Sequence, residues 1–340
     1  MQVIEDFTIG CDADLCRGAL ESVDISVVIP AFNAEELIEQ AIASILAQSA
    51  PVREIVIVDD GSTDQTVARA LNVDQGIRVV RQDRGGEAAA RNRGVSQAVG
   101  DWVAFLDADD VWKPDRLESQ ALVLDRNPDL AWVCGGLVYR FPDGRQRESR
   151  VANRAARLLT DSSVFPDFFE AARAGVVFST CAMLIRTEVL REAGVFDVSL
   201  RTGLDQDMWY RIADRHPRIG YVKRPLFTYN RANPHSSTRV QTCYSDTQFR
   251  LIQKHLAPAS TPPQRTLTSK ELYFRRQVFR AVRHAARHGD KGSILRILES
   301  FGGYLRTDQR ALAMMCQVVP GSALRSCARI FRRLSGRAKR

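Results

Sequence analysis

Three aspartates lie close together directly after an apolar segment of the sequence. Asp107, Asp109 and Asp110 follow residues 102–106, which read WVAFL. Carboxylates this close repel one another unless a positive charge neutralises them, and their hard oxygen atoms suit Mg²⁺ or Mn²⁺. A metal held by one or two carboxylates commonly completes its coordination shell with phosphate oxygens. The cluster therefore indicates a divalent metal and a di- or triphosphate ligand, with a solvated helix cap as the alternative.

A second acidic pair ends another apolar segment. Asp59 and Asp60 follow residues 54–58, which read EIVIV, and precede Gly61 and Ser62. One aspartate can cap the following turn, while the other can accept hydrogen bonds from a nucleotide base or a ribose hydroxyl. The pair leaves both a nucleotide-binding role and a purely structural role open.

The segments around these acids alternate between strand and helix patterns. Short β-branched runs predict strands at residues 24–30, 54–58, 77–80 and 102–106. Helical spacing of apolar residues predicts helices at 35–48, 63–71 and 87–99. This order predicts an α/β fold with a mostly parallel open sheet and helices on both faces. Ligands of such sheets bind beyond the carboxyl ends of the strands, where the acids lie.

The second half of the chain has a mixed pattern that becomes helical and basic. Strands are predicted at 131–139 and 180–185, and helices at 188–193, 208–214 and 271–288. Residues 321–340 contain seven basic side chains and no acidic one. This tail can bind an anionic membrane surface, belong to a helical region packed on the rest of the chain, or serve solubility alone.

Composition excludes several classes of protein. The seven cysteines are scattered without a CxxC pair, which fits neither a zinc site nor a disulfide framework and indicates a reducing compartment. No apolar run is long enough for a transmembrane helix. Residues 1–23 lack the basic and apolar parts of a signal peptide, so a leader before the first strand is expected.

Four blocks of the sequence, in order and spacing, closely resemble the family 2 inverting glycosyltransferases. They are residues 27–33 (VVIPAFN), 57–64 (IVDDGSTD), 90–94 (ARNRG) and 105–110 (FLDADD). The resemblance implies the A-type glycosyltransferase fold, also called the nucleotide-diphospho-sugar transferase fold. It covers about residues 24–240, which predicts a catalytic domain there and a basic helical extension at 241–340.

The resemblance also implies roles for individual residues. Asp109 would bind the metal, Mg²⁺ or Mn²⁺, and His235 would be either a second metal ligand or a pocket residue. Asp60 would read a base N–H, commonly of uracil, and Phe32 would lie near the base. The implied nucleotide-binding residues are Pro30, Ala31, Phe32, Asn33, Asp60, Arg91, Asp107 and Ala108.

An inverting transfer needs a base that deprotonates the acceptor hydroxyl, and a carboxylate within hydrogen-bond reach suffices. By resemblance, Asp205 is the predicted base, although Leu204 replaces the acid that relatives often carry before it. Asp207 is predicted to cap a helix that begins at Met208.

The predicted function is transfer of a sugar from a nucleotide-diphosphate donor, commonly a UDP-sugar, to an acceptor hydroxyl in bacterial polysaccharide or glycoconjugate synthesis. The expected acceptor is a saccharide or a lipid-linked saccharide. The expected location is the cytoplasm or the inner face of the membrane, and no nucleic acid partner is expected. The alternatives are a non-catalytic protein that binds nucleotide-sugars or polysaccharides, and a nucleotidyltransferase. The second would normally carry a glycine-rich phosphate loop where residues 30–33 read PAFN.

Overall fold

The computed structural model describes residues 23–149, 151–161, 163–200, 202–231 and 244–318. Within them one sheet contains ten strands. The strands are β1 (Ile25–Ala31), β2 (Glu54–Asp59), β3 (Arg78–Arg81), β4 (Trp102–Phe105), β5 (Val111–Trp112), β6 (Trp132–Arg140), β7 (Gln146–Glu148), β8 (Val164–Phe165), β9 (Leu184–Arg186) and β10 (Ile219–Asn230).

Helices connect and cover these strands. They are α1 (Ile38–Leu46), α2 (Thr66–Val73), α3 (Glu87–Gln97), α4 (Arg116–Arg126), α5 (Asn153–Ala156), α6 (Phe168–Ala174), α7 (Thr187–Glu192), α8 (Leu204–Arg215), α9 (Tyr244–His255), α10 (Ser269–His288), α11 (Lys291–Phe301) and α12 (Thr307–Val318). No described helix is long and apolar enough to cross a membrane.

The sheet is mixed, and its order is β3-β2-β1-β4-β9-β6-β10-β5, with β7 beside β6 and β8 beside β10. The described strands of four or more residues, β1 to β4, β6 and β10, all run in one direction. The four shorter strands are antiparallel to their neighbours. The predicted α/β fold with an open sheet is confirmed, and the parallel arrangement holds for its longer strands.

Both faces of the central strands are buried, as their continuous apolar sequences require. In β2, Ile55, Val56, Ile57 and Val58 are all at most 4% exposed. Helix α3 lies especially close to β1, because a Cβ atom at Gly94 would meet Val28 Cγ1 at 2.2 Å. This close approach holds α3 against the sheet and brings its first turns to the carboxyl ends of the strands.

Three local predictions were wrong. Helix α8 begins at Leu204 rather than Met208, after Gly203 in the left-handed conformation at φ 74°. Asp207 therefore lies inside the helix and is not its cap. Residues Thr180–Ala182 form a 3₁₀ turn before β9 instead of starting a strand, and α2 begins at Thr66 rather than at residue 63.

The C-terminal helices pack against the core of the sheet. Helix α10 begins with a capping box between Thr268 and Glu271 and buries Phe274 in the same apolar core as the sheet residues. The hydroxyl groups of Tyr210 and Tyr273 join α8 to α10 at 2.7 Å. Residues 244–318 thus pack on the rest of the chain, whereas the alternatives for the tail at 321–340 stay open. The leader, the boundary at 240 and the basic tail lie outside the described residues.

Candidate active site

One buried guanidinium joins two acidic segments that are far apart in the sequence. Arg91, only 1% exposed, donates from Nη1 to Asp205 Oδ1 and from Nη2 to Asp107 Oδ1, both at 2.7 Å. Its Nη2 also lies 2.6 Å from Glu87 Oε1, one helical turn earlier. Arg91 therefore holds the predicted nucleotide-binding turn and the predicted base at one place.

The local sequence explains how Arg91 reaches this position. Glu87 is the first residue of α3, so Arg91 lies one turn further, on the same side of the helix. The ring of Phe196 lies 5.5 Å from the guanidinium carbon. Asn92 fixes that phenylalanine, since it donates to the Phe196 carbonyl at 2.8 Å and accepts from its N–H at 2.7 Å.

The electrostatics of this cluster favour a cationic ligand. Burial alone would lower the pKa of Arg91, but the charges of Glu87, Asp205 and Asp107 raise it well above its usual value. Three carboxylates surround one guanidinium, so negative charge remains in excess. Asp107 and Asp205 are 28% and 37% exposed, which leaves both carboxylates accessible from outside.

The acidic turn after β4 contains a carboxylate that lacks a full set of partners. Asp110 is 1% exposed, and its Oδ1 accepts from the Asn230 N–H at 2.9 Å. Its Oδ2 is buried without a hydrogen-bond partner. Burial, together with the charges of Asp107 and Asp109, raises the pKa of Asp110 well above its usual value. Such an oxygen is suited to a cation or a donor supplied by a ligand.

The structure adds a residue that the sequence did not suggest. Ligand atoms of Asp107, Asp110 and Cys181 lie within 4.8 Å of one another, and the Asp107 N–H donates to Cys181 Sγ at 3.3 Å. Burial and the two carboxylates raise the pKa of the thiol. Asp109, the predicted metal ligand, is not part of this group, so its role stays a prediction. The carboxylate oxygens fit a hard divalent cation better than the thiol does.

The loop after β1 is fastened to the loop after β2. Asn33, at φ 45°, accepts from the Thr63 N–H at 2.9 Å and donates its own N–H to Ser62 Oγ at 3.0 Å. Next to it, Phe32 is 37% exposed, and the guanidinium carbon of Arg84 lies 3.3 Å from its ring centroid. Phe32, with Arg84 stacked on its ring, thus lies at the carboxyl ends of the strands, where the nucleotide base is predicted to bind.

Asp59 and Asp60 both accept hydrogen bonds from neighbouring loops of the chain. Asp59 Oδ1 accepts from the Ser62 N–H at 3.0 Å and so closes the turn. Asp60 accepts from Gln82 Nε2 and the Gly85 N–H, both at 2.7 Å, and from the Gly86 N–H at 2.8 Å. Asp60 thereby organises the loop that leads into α3, and its contact with a base stays a prediction.

The two aspartates of α8 have different surroundings. Asp205 contacts Arg91, whereas Asp207 is fully buried on the other side of the helix. Asp207 binds Arg211 at 2.8 Å, Lys254 at 2.9 Å and His255 at 2.8 Å. Asp207 is therefore a structural anchor between α8 and α9.

The remaining predicted residues have less to distinguish them. Ala31 and Ala108 are buried, at 2% and 8% exposure, and Pro30 pairs with Val58 in the sheet. These three can offer backbone and apolar surface only. His235 lies outside the described residues.

Comparisons with known proteins agree on one family. The family model described as "Glycosyl transferase family 2" matches residues 26–194. An uncharacterized glycosyltransferase of Rickettsia prowazekii is 30% identical over 192 residues, covering 55% of this chain and 58% of that protein. The uncharacterized glycosyltransferase EpsJ of Bacillus subtilis is 27% identical over 220 residues, covering 64% of this chain and 63% of that protein. The chain thus spans less than two thirds of these relatives.

Solved structures share the fold. The S. aureus TarS 1-349 structure in complex with UDP-GlcNAc superposes with a TM-score of 0.66 and is 17% identical. The match covers 91% of this chain and 92% of that chain, so the likeness includes the C-terminal helices as well as the sheet.

Proposed function

Since the chain belongs to glycosyltransferase family 2, we propose that it transfers a sugar from a nucleotide-diphosphate donor to an acceptor hydroxyl, with inversion at the anomeric carbon. The observation that carries the proposal is the Arg91 bridge. One guanidinium holds Asp107, at the predicted donor site, and Asp205, the predicted base, at 2.7 Å each. A purely structural role would not require both carboxylates to stay partly exposed.

The donor site would lie at the carboxyl ends of β1, β2 and β4. Phe32 supports a stacking surface for the base, and Asp107 is accessible to the ribose. UDP-sugars are the proposed donors, since the TarS structure with the same fold holds UDP-GlcNAc. Residues 30–33 read PAFN, and Asn33 hydrogen-bonds them to the loop after β2. They do not form the glycine-rich phosphate loop that a nucleotidyltransferase normally carries, which argues against that alternative.

Asp205 would act as the general base. Arg91 binds its Oδ1 and orients the carboxylate, and the 37% exposure of the side chain leaves it open to an acceptor. The acceptor hydroxyl would give its proton to Asp205 as its oxygen bonds to the anomeric carbon. The bond from that carbon to the phosphate oxygen breaks, and the nucleoside diphosphate leaves with the electron pair.

A divalent cation, Mg²⁺ or Mn²⁺, is proposed at the acidic turn. Asp107 and Asp110, with Asp109 beside them, would hold it, and the unpartnered Oδ2 of Asp110 supports this fit. When bound, the cation would neutralise charge on the diphosphate. His235 stays a proposed ligand or pocket residue.

The acceptor is proposed to be a saccharide or a lipid-linked saccharide of a polysaccharide or glycoconjugate pathway. One relative, TuaG of Bacillus subtilis, is provisionally named as a glycosyltransferase of teichuronic acid biosynthesis and is 45% identical over 100 residues. We also propose that the enzyme acts at the cytoplasmic surface of the membrane. Helix α12 supports it, because Met314, Met315 and Val318 are exposed just before the basic tail.

Replacing the proposed base tests the function. In Asp205→Asn, transfer from a UDP-sugar should fall by roughly 10²–10⁴-fold, the usual contribution of a general base. UDP binding and thermal stability should be retained. Asp214→Asn is the matched control, because Asp214 lies on the same helix and, among the described residues, pairs with Lys270 at the surface. Full transfer by the Asp205 variant would refute the assignment, and failure of the wild type to bind any nucleotide-sugar would refute the function.

A further inference from the structure

A group of aromatic and arginine side chains lies at the carboxyl ends of β6 and β10, apart from the residues used above. This aromatic–arginine patch consists of Tyr139, Phe141, Arg147, Tyr229 and Arg231. The ring of Tyr139 lies 6.4 Å from that of Phe141 and 6.1 Å from that of Tyr229. The guanidinium carbons of Arg147 and Arg231 lie 5.2 Å and 5.9 Å from the Tyr139 ring centroid. Tyr139 is therefore the centre of the patch.

The patch adjoins the acidic turn. Tyr139 is opposite Tyr229 in the parallel pair of β6 and β10, and opposite Arg147 in the hairpin of β6 and β7. Asn230, between Tyr229 and Arg231, donates its N–H to Asp110 at 2.9 Å. The patch thus lies next to Asn230, the residue whose backbone contacts the acidic turn of the proposed site.

Two clefts meet at strand β7. One has a volume of about 700 Å³ and is lined by Tyr139, Gln146, Arg147, Glu148, Ser149 and Val177. The other has a volume of about 630 Å³ and shares Gln146, Arg147 and Glu148 with the first. Volumes of this size suit ligands larger than one sugar ring. Arg147 borders both clefts and can contact a ligand in either.

Among the residues that the structure describes, Arg147 has no acidic partner, although Arg145 in the same hairpin binds Asp143 at 2.6 Å. A guanidinium group can donate two parallel hydrogen bonds to the oxygen atoms of a carboxylate or a phosphate group. Aromatic rings beside it offer a flat apolar surface to a sugar ring. This combination suits a ligand that is both a saccharide and an anion.

We propose that the aromatic–arginine patch binds the acceptor, and that the acceptor is an anionic saccharide. A sugar ring lies against Tyr139, and a phosphate or carboxylate group of the same chain binds Arg147. This assignment rests on the function proposed above and specifies its acceptor class. Arg147 is exposed, so a neutral acceptor would leave its guanidinium hydrated and would gain no charge-assisted hydrogen bond from it.

Binding of three oligosaccharide probes to the full chain tests the assignment. The probes are oligogalacturonate, which carries carboxylates, oligomeric glycerol phosphate, which carries phosphates, and neutral maltohexaose. Calorimetric titration at low ionic strength should show binding of at least one anionic probe and weaker binding of maltohexaose. Whichever anionic probe binds more tightly identifies the charged group.

Variants separate the patch from general surface charge. Arg147→Gln should weaken binding of the preferred anionic probe roughly tenfold, since it removes one charged hydrogen-bonding group. Tyr139→Leu should weaken it as well. Arg145→Gln removes the same charge from a neighbouring position outside both clefts and should leave binding within about twofold of the wild type.

UDP titrated with Mn²⁺ into the same samples distinguishes the two proposals. If UDP binds but no anionic probe exceeds maltohexaose, or if Arg147→Gln and Arg145→Gln have equal effects, the acceptor assignment is overturned and the glycosyltransferase function stands. If UDP does not bind, the proposed function fails first.

Discussion

Two ion clusters lie at opposite sides of helix α8, and they differ in how far their aspartates are exposed. Around Arg91, one guanidinium faces three carboxylates, from Glu87, Asp107 and Asp205. Around Asp207, one carboxylate faces three basic side chains, from Arg211, Lys254 and His255. The first cluster retains partly exposed acids, whereas Asp207 in the second cluster is completely enclosed, and Lys254 there also binds Asp197 at 2.7 Å.

This difference separates a site for chemistry from a structural joint. Asp205 has one charged partner and 37% exposure, so it can still meet a substrate. Asp207 has 0% exposure and partners on both oxygens, so it has no capacity left for a ligand. Two aspartates that are two residues apart on one helix thus serve different purposes because they point to different sides of it.

The largest expected effect is on the structural cluster. Asp207→Ala should lower the free energy of unfolding by about 3 kcal/mol, because Arg211 and His255 lose their carboxylate partner while Lys254 keeps Asp197. The value is at the low end of the range for buried pairs, since Lys254 is 38% exposed and can turn to water. Urea denaturation measures it, with Asp214→Ala on the same helix as the control, expected within about 0.5 kcal/mol. If both variants lost the same free energy of unfolding, the structural role proposed for Asp207 would be contradicted.

A smaller loss of stability is expected from the acidic cluster. Arg91→Met should cost about 2 kcal/mol, because Asp107 and Asp205 lose their shared cation but are exposed enough to be solvated. Donor binding should weaken as well, since the Asp107 carboxylate loses its orientation. Arg173→Met is the control, because its partner Glu170 lies at 3.4 Å on the surface of α6. If the Arg91 variant bound UDP as the wild type does, Arg91 would have no role in orienting the donor site.

The smallest effect is a pH dependence that belongs to Asp207. Burial alone would raise its pKa, but the hydrogen bonds from His255 and Lys254 and the charge of Arg211 lower it. A lowered pKa contributes stability that is complete above the unfolded value of about 3.9 and is lost as the pH falls below it. The urea midpoint of the wild type should therefore fall more steeply than that of Asp207→Ala as the pH is lowered from about 4 to about 2. Parallel curves would show that another group carries the acid sensitivity.

The sheet and its strand-end acids could be predicted because their signals are local. The apolar runs before Asp59 and Asp107 each predicted a strand, and each strand ends within two residues of that aspartate. Helix α10 was predicted from its apolar spacing, and a capping box fixes its start. The start of α8 was missed because Gly203, Leu204 and Asp205 carry no helical pattern, and tertiary contacts decide such ends.

The sequence by itself determined the alternation of strands and helices, the family motifs and the identity of the acids at the strand ends. Only the tertiary structure decided that Arg91 is buried between Asp107 and Asp205, that Cys181 lies beside the acidic turn, and that Asp207 joins two helices. The contacts of Arg91 with Asp205 and of Asp107 with Cys181 span 114 and 74 residues of chain. Sequence patterns report neighbours within one or two turns, whereas the packing of α3 and α8 against the sheet brings these distant side chains together.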